Sequence, residues 1–298
     1  MIETTASKSF ARTPLAHAVE TPPPCGTSVP PLVWLNVLCL DAPLVAITWQ
    51  LLFAKSFGIA VANGGTVALF LTAWLIYLAD RLGDSMSLRA AEPMSLRQNF
   101  CRRHVRAWFA AVGLVALADL IVVGAKLDRT AVLVGAAVAI AALVYLLINR
   151  LRPQLWSILP LKEVSIGFIF AAGSMVGLLP NLTSTAAPAW IFFGLLCSLN
   201  CVSIAVWERA LDSAQSRISI ATAFPRIDGI VLPALAVICL TSSIAAGIRP
   251  DAHRLYVCIA ASAVLLGLVH LARGKIQTDV RTALADLMLL TPIFAFVV

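Results

Sequence analysis

Charge is what this chain is short of. Of its 298 residues only 12% are Asp, Glu, Lys or Arg, about half of the ~25% found in soluble globular domains. That cannot clothe a water-facing surface, so soluble, fibrous and disordered classes are excluded for most of the length. Aromatic residues are also few, at 8%, and no polar–apolar alternation is sustained over strands of about 10 residues, which argues against a transmembrane barrel. The four histidines take part in no Ser-His-Asp or Cys-His arrangement. No G-x-x-x-x-G-K-[ST] phosphate loop is present, so an ATP-driven pump is not expected. The seven cysteines (Cys25, Cys39, Cys101, Cys197, Cys201, Cys239, Cys258) are odd in number and lie mostly in apolar stretches. They read as small buried hydrophobes, not as a disulfide framework. Cys197 and Cys201 are one helical turn apart, but nothing beside them completes the ligand set that zinc requires.

What the chain does have is apolar sequence: 60% hydrophobic residues and a mean hydropathy of +0.92. The fold class expected is all-α, a polytopic membrane bundle. Residues 1–30 are Pro-rich, with neither the basic start nor the apolar core of a signal peptide, and read as a disordered cytoplasmic tail. Residues 31–298 carry nine apolar segments of spanning or near-spanning length, at 33–53, 60–79, 107–125, 130–149, 157–179, 188–207, 229–247, 254–272 and 282–298. Positive charge retained in the cytoplasm sets orientation. With nine spans, the tail and the loops after spans 2, 4, 6 and 8 hold 17 of the 22 Lys and Arg residues, and the other side holds 5. This predicts a cytoplasmic N-terminus in a bacterial-type inner membrane. It also accounts for the net charge of +7 as topology, so no nucleic-acid partner is expected; the lipid bilayer is.

The 15 acidic residues are placed tellingly, because charge at or within a membrane boundary is costly and marks function by default. Span 2 runs into Asp80-Arg81-Leu82-Gly83-Asp84, and span 6 runs into Glu208-Arg209-Ala210-Leu211-Asp212. Both read acid-Arg-x-x-Asp. The i, i+4 spacing puts both carboxylates of a pair on one helix face. The pairs sit four spans apart at cytoplasmic ends, as a parallel internal duplication would place them. Four carboxylates around one cavity repel unless cations lie between them. Mg²⁺, a hard cation that takes oxygen ligands and recruits phosphate, is the natural counterion.

On these residues the chain resembles the UbiA superfamily of intramembrane prenyltransferases, over about residues 33–298. Asp80 and Asp84 match the closing acids of that family's N-D-x-x-D-x-x-x-D motif, whose opening Asn-Asp falls here on Ile76 and Tyr77. Glu208 and Asp212 match its D-x-x-x-D motif. Leu159-Pro160-Leu161-Lys162-Glu163, followed by Gly167, Gly173 and Gly177, looks like the lysine-bearing entry to the family's fifth helix. The resemblance implies nine helices and transfer of a prenyl group from a polyprenyl diphosphate donor to an acceptor. Mg²⁺ would be held by Asp80, Asp84, Glu208 and Asp212, with Lys162 on the diphosphate and Arg81 and Arg209 as further donors. The acceptor is not identified by the sequence.

Other residues stand as substrate-binding candidates. Tyr77 lies one turn before Asp80 on the same face, Asn200 lies in span 6, and Asp41 and Asp286 lie inside the first and last apolar segments. Asp119 is expected to pair with Lys126 or Arg129. The glycines after Lys162 are expected to let helices approach closely. The basic loop with Arg97, Arg102, Arg103, His104 and Arg106 is expected to attract anionic lipid headgroups, the alternative being a cap over the cavity that draws in the diphosphate. The competing classes are a non-catalytic lipid-binding relative and a membrane transporter. Transporter sites lie near the bilayer midplane, whereas these acid pairs lie at its boundary.

Overall fold

The structure is a computed structural model describing residues 30–89, 91–158 and 161–297. The tail expected over residues 1–30 lies outside the described residues except for Pro30. Among the described residues every regular element is helical. The chain runs through α1 (Pro31–Val37), α2 (Asp41–Ser56), α3 (Asn63–Ser87), α4 (Leu96–Arg103) and α5 (Val105–Lys126). Then come α6 (Arg129–Leu151), α7 (Leu155–Ile158), α8 (Lys162–Met175), α9 (Ala187–Trp207) and α10 (Arg209–Ala214). The last five are α11 (Ile220–Ala223), α12 (Asp228–Ile248), α13 (His253–Leu271), α14 (Thr278–Leu287) and α15 (Pro292–Val297).

Six helices are long and apolar enough to cross a bilayer: α3, α5, α6, α9, α12 and α13. They coincide with apolar segments 2, 3, 4, 6, 7 and 8 of the sequence. Segment 1 is the pair α1–α2, bent by 88°. Cys39 occupies a left-handed backbone conformation (φ 58°) at the corner, and Pro43 sits in the first turn of α2, where its missing N–H costs no helical bond. Trp74 Nε1 donates to the Leu38 carbonyl at 3.0 Å and pins the corner to α3. Segment 5 holds only the 14-residue α8, about 21 Å at 1.5 Å per residue. Segment 9 is divided between α14 and α15. The structure is thus a helical membrane bundle with six full-length crossing helices among the described residues and three shorter or broken apolar segments between them.

Burial orders the bundle. The spanning stretches of α9 and α13 are each 56% buried, against 11% for α5 and 17% for α6, so the first two run through the middle and the last two form the rim. Leu114, Leu117, Leu120 and Ile121 on α5, with Leu133, Ile140 and Leu143 on α6, are exposed. In water such a surface would drive aggregation; in a bilayer it is the lipid face. At the centre, α8 and α9 touch almost backbone to backbone. A Cβ added at Gly167 would meet Ser198 N at 2.5 Å and Cα at 2.7 Å. In lipid, where apolar burial does not drive helices together, such small-residue contact is what lets them pack. Of the three glycines singled out in the sequence, Gly167 makes this approach; a Cβ at Gly173 would find only Val138 Cγ1 at 3.8 Å.

Candidate functional site

The last turns of α3 bring Tyr77, Asp80, Arg81 and Asp84 to one end of the bundle. The break after α9 brings Glu208, Arg209 and Asp212 to the same end, because Glu208 closes α9 and opens α10. What joins them is the turn that ends α10. Ser216 takes a left-handed conformation (φ 52°); Ser216 N–H donates to the Ser213 carbonyl at 3.1 Å and Arg217 N–H to the Asp212 carbonyl at 2.8 Å. This is the two-bond Schellman closure, with serine where glycine is usual. It throws Arg217 back toward α3, where Nη1 donates to Asp84 Oδ2 at 2.6 Å and Nη2 to the Asp84 carbonyl at 3.2 Å. Lys162, first residue of α8, donates to the Ile218 carbonyl at 3.2 Å. Lys162 and Arg217 are within electrostatic reach of both Asp80 and Asp212. Burial, with Glu208 beside it, raises the Asp212 carboxyl to about 6, while Ser219, Lys162 and Arg217 pull the other way.

Glu208 is held differently. Its Oε2 accepts from Arg97 Nη2 at 2.6 Å and its Oε1 from Thr282 Oγ1 at 3.0 Å, so α4 is clamped across the site. A reciprocal amide pair reinforces the clamp: Gln215 Nε2 donates to Gln98 Oε1 at 2.9 Å and Gln98 Nε2 to Gln215 Oε1 at 3.3 Å. Glu163 turns inward and accepts the Ile220 N–H at 2.9 Å, fixing the start of α11. Arg209 faces away, donating to the Pro225 carbonyl at 2.9 Å. Arg81 lies near Cys39, Asp80 and Asp84.

A second, inner group lies below. Asn36 Nδ2 donates to Asp41 Oδ2 at 2.7 Å and to Asp286 Oδ2 at 3.4 Å; Asn200 Nδ2 donates to Asp286 Oδ1 at 2.7 Å. Asp41 is also tied to its own helix start by the Ala42 N–H at 2.9 Å. Tyr77, Gly167, Cys197, Asn200, Cys201 and Asp286 line a cavity of about 20 Å³, room for about one water. Tyr77 thus belongs to this inner group, one turn from Asp80.

The sequence candidates therefore divide into two groups. Asp80, Asp84, Asp212 and Lys162 gather at the outer site; Tyr77, Asp41, Asn200 and Asp286 gather at the inner one; Glu208 is locked to Arg97 and Thr282, and Arg209 is directed elsewhere. Among the described residues, no three His, Cys, Asp or Glu side chains come close enough to hold one metal ion. The four carboxylates thus form no all-protein cage; a Mg²⁺ ion here would take one or two of them and draw its remaining oxygens from phosphate and water. Their counter-charge comes from the protein itself: four acids (Asp80, Asp84, Glu208, Asp212) stand beside four cations (Arg81, Arg97, Lys162, Arg217). Arg217, which the sequence did not offer as a site residue, and Arg97, offered there only as part of the basic loop, are the principal additions, and each needs a turn in the chain to reach its acid. The pairing expected for Asp119 is corrected too: its Oδ2 accepts from Thr72 Oγ1 at 2.8 Å, because it faces α3 and not the end of its own helix.

No family model, curated protein or solved structure matches this chain.

Proposed function

We propose that this chain is a divergent prenyltransferase of the UbiA type. It would have nine membrane segments, a cytoplasmic N-terminus and a site that opens to the cytoplasm of a bacterial cell. The substrate is a polyprenyl diphosphate, the reaction is transfer of its prenyl group to an acceptor, and Mg²⁺ is the cofactor expected from the resemblance. The observation that carries the reading is the meeting of both acid-Arg-x-x-Asp segments with Lys162 and Arg217 at one end of the bundle. A diphosphate there accepts charge-assisted hydrogen bonds from Lys162 and Arg217, and these strengthen as the prenyl C–O bond breaks and negative charge collects on the leaving oxygens. Asp84 holds Arg217, and the Ile218 carbonyl holds Lys162, extended toward the site. The cavity below, about 20 Å³ as it stands, would have to widen to take the allylic fragment and keep water from it.

A non-catalytic lipid-binding relative is the second reading. It is favoured by the commitment of Glu208 to Arg97 and of Asp84 to Arg217, which leaves the acids internally satisfied. One titration separates the two. Farnesyl diphosphate is added to purified protein, with and without Mg²⁺, for wild type, Arg217→Gln and Asp84→Ala/Asp212→Ala. The transferase reading expects Arg217→Gln to weaken binding at least tenfold, about 1.4 kcal/mol, the double variant to lose the Mg²⁺-dependent part, and pyrophosphate to be released with a suitable acceptor. Binding indifferent to Mg²⁺ and to all three changes overturns it.

A further inference from the structure

A second groove lies where the end of α3 meets α4 and the start of α5. Ser85 and Met86 at the end of α3, Leu88 beyond it, Cys101 and Arg102 of α4, and Val105 at the start of α5 enclose about 320 Å³, a volume at the lower end of small-ligand pockets. No acid lines it. Ser85 is 2% exposed, with its hydroxyl packed against the Cys101 thiol. Arg102 is anchored through Nη1, which donates to the carbonyls of Leu88 and Arg89 at 3.3 Å each. Its Nε and Nη2 make no hydrogen bond to protein among the described residues and are left to an external acceptor. Arg103, His104 and Arg106 are exposed around the rim.

Depth identifies the ligand class. The 25 residues of α3 extend about 37 Å at 1.5 Å per residue, longer than the ~30 Å hydrocarbon layer, so the last turn reaches the headgroup region. The apolar wall does not stop at the groove. Val105 is followed one turn later on the same face by Phe109, 53% exposed, a lipid-facing track for an acyl chain.

We propose that this groove binds the phosphate-bearing headgroup of an anionic phospholipid. The phosphate accepts hydrogen bonds from the free edge of the Arg102 guanidinium, and an acyl chain runs past Met86 and Val105 toward Phe109. This inference does not depend on prenyl transfer.

The test uses the full chain in detergent micelles, read by native mass spectrometry and by thermal unfolding, with added phosphatidylglycerol, phosphatidylcholine of the same chains, or inorganic phosphate. Phosphatidylglycerol is expected to remain bound one per chain and to raise Tm, with phosphatidylcholine retained several-fold less. Arg102→Gln is expected to reduce the phosphatidylglycerol adduct at least fivefold, and Arg103→Gln to leave it unchanged. Met86→Glu, at a residue 56% exposed and so harmless to folding, places a negative charge in the groove and is expected to act like Arg102→Gln. Three results would each overturn the proposal: equal retention of the two lipids, equal losses for Arg102→Gln and Arg103→Gln (diffuse attraction without a built site), or the same stabilisation from inorganic phosphate.

Discussion

The ion pair between Arg97 and Glu208 gives the sharpest test of how the site is held. The pair is short, 2.6 Å, and its side chains are only 12% and 9% exposed. A pair this buried is strongly destabilising when one partner is removed, by about 3–5 kcal/mol, because the other charge is left uncompensated. Glu208 would keep one donor, Thr282 Oγ1 at 3.0 Å, and a hydrogen bond to a charged group retains about 1.5–3 kcal/mol, so Arg97→Gln is placed at the low end, about 3 kcal/mol. For a chain of this size that amounts to a fall in Tm of at least about 5 °C. The Arg97→Gln/Glu208→Gln double variant leaves no orphan charge and should recover part of the loss. The assay is thermal unfolding of the four proteins of the cycle in one detergent at one pH, with a coupling of at least about 1 kcal/mol expected. Additive losses, or an Arg97→Gln shift under about 2 °C, would refute both the clamp of α4 over the site and the assignment of Arg97 as counterion to Glu208.

Asp212 predicts a pH dependence. With its carboxyl raised to about 6, the folded protein holds a proton that the unfolded chain releases near pH 4, so its contribution to stability is present at low pH and lost as pH rises through 6. Asp212→Asn should flatten that slope between pH 5 and 7 and raise Tm at pH 7.5, within a ceiling of about 3 kcal/mol; a lower Tm at pH 7.5 would contradict the burial argument. Gly167→Ala should cost more than 2 kcal/mol, in the range of about 1–3 or above for overpacking, since Ser198 backbone atoms stand in the way of its Cβ. Gly173→Ala should be neutral or stabilise by up to about 1 kcal/mol through helix propensity, and equal effects in a melting comparison would refute the close α8–α9 contact. Arg209→Gln should leave farnesyl diphosphate binding unchanged under conditions where Arg217→Gln weakens it, because Arg209 is turned to Pro225; equal losses would mean that Arg209 swings inward.

The long crossing helices were legible because a bilayer imposes length as well as apolarity. The segment expected at 107–125 is α5 over Val105–Lys126, and that at 254–272 is α13 over His253–Leu271. Segments 1, 5 and 9 read as plain spans in the sequence because hydropathy averages over a break; they correspond to the bent pair α1–α2, the 14-residue α8 and the divided α14–α15. The corner at Cys39 has neither glycine nor proline at its left-handed residue, and segment 9 takes in only the less charged half of α14 before running through residues 288–290 into α15. The pairing of Asp80 with Asp84 follows from helical spacing alone. The arrival of Arg217 does not: it depends on Ser216 adopting a backbone conformation that sequence rules reserve for glycine or asparagine. Arg97 depends on α4, whose capping box at Ser95 and Gln98 was visible in principle as S-x-x-Q before a helical stretch, although its docking against Glu208 was not.

The electrostatics of the site turn on the same point. Read from sequence, four carboxylates at one end of a bundle demand external cations, and the argument runs straight to Mg²⁺. In the folded chain Arg97 and Arg217 come from segments 111 and 133 residues away from the acids they meet and supply charge of the right sign without a metal. Acids and cations at such a boundary are more than mutual neutralisers. A guanidinium held by one carboxylate oxygen and one backbone carbonyl, as Arg217 is by Asp84, keeps its direction and still has N–H groups to offer, and that is the state from which it can meet a phosphate without first being ordered. Lys162 is in the same condition, anchored by one of three donors to the Ile218 carbonyl. What sets this end of the bundle apart is therefore less the count of acids than two half-engaged cations, Arg217 held by Asp84 in the turn after α10 and Lys162 held by the Ile218 carbonyl at the start of α8.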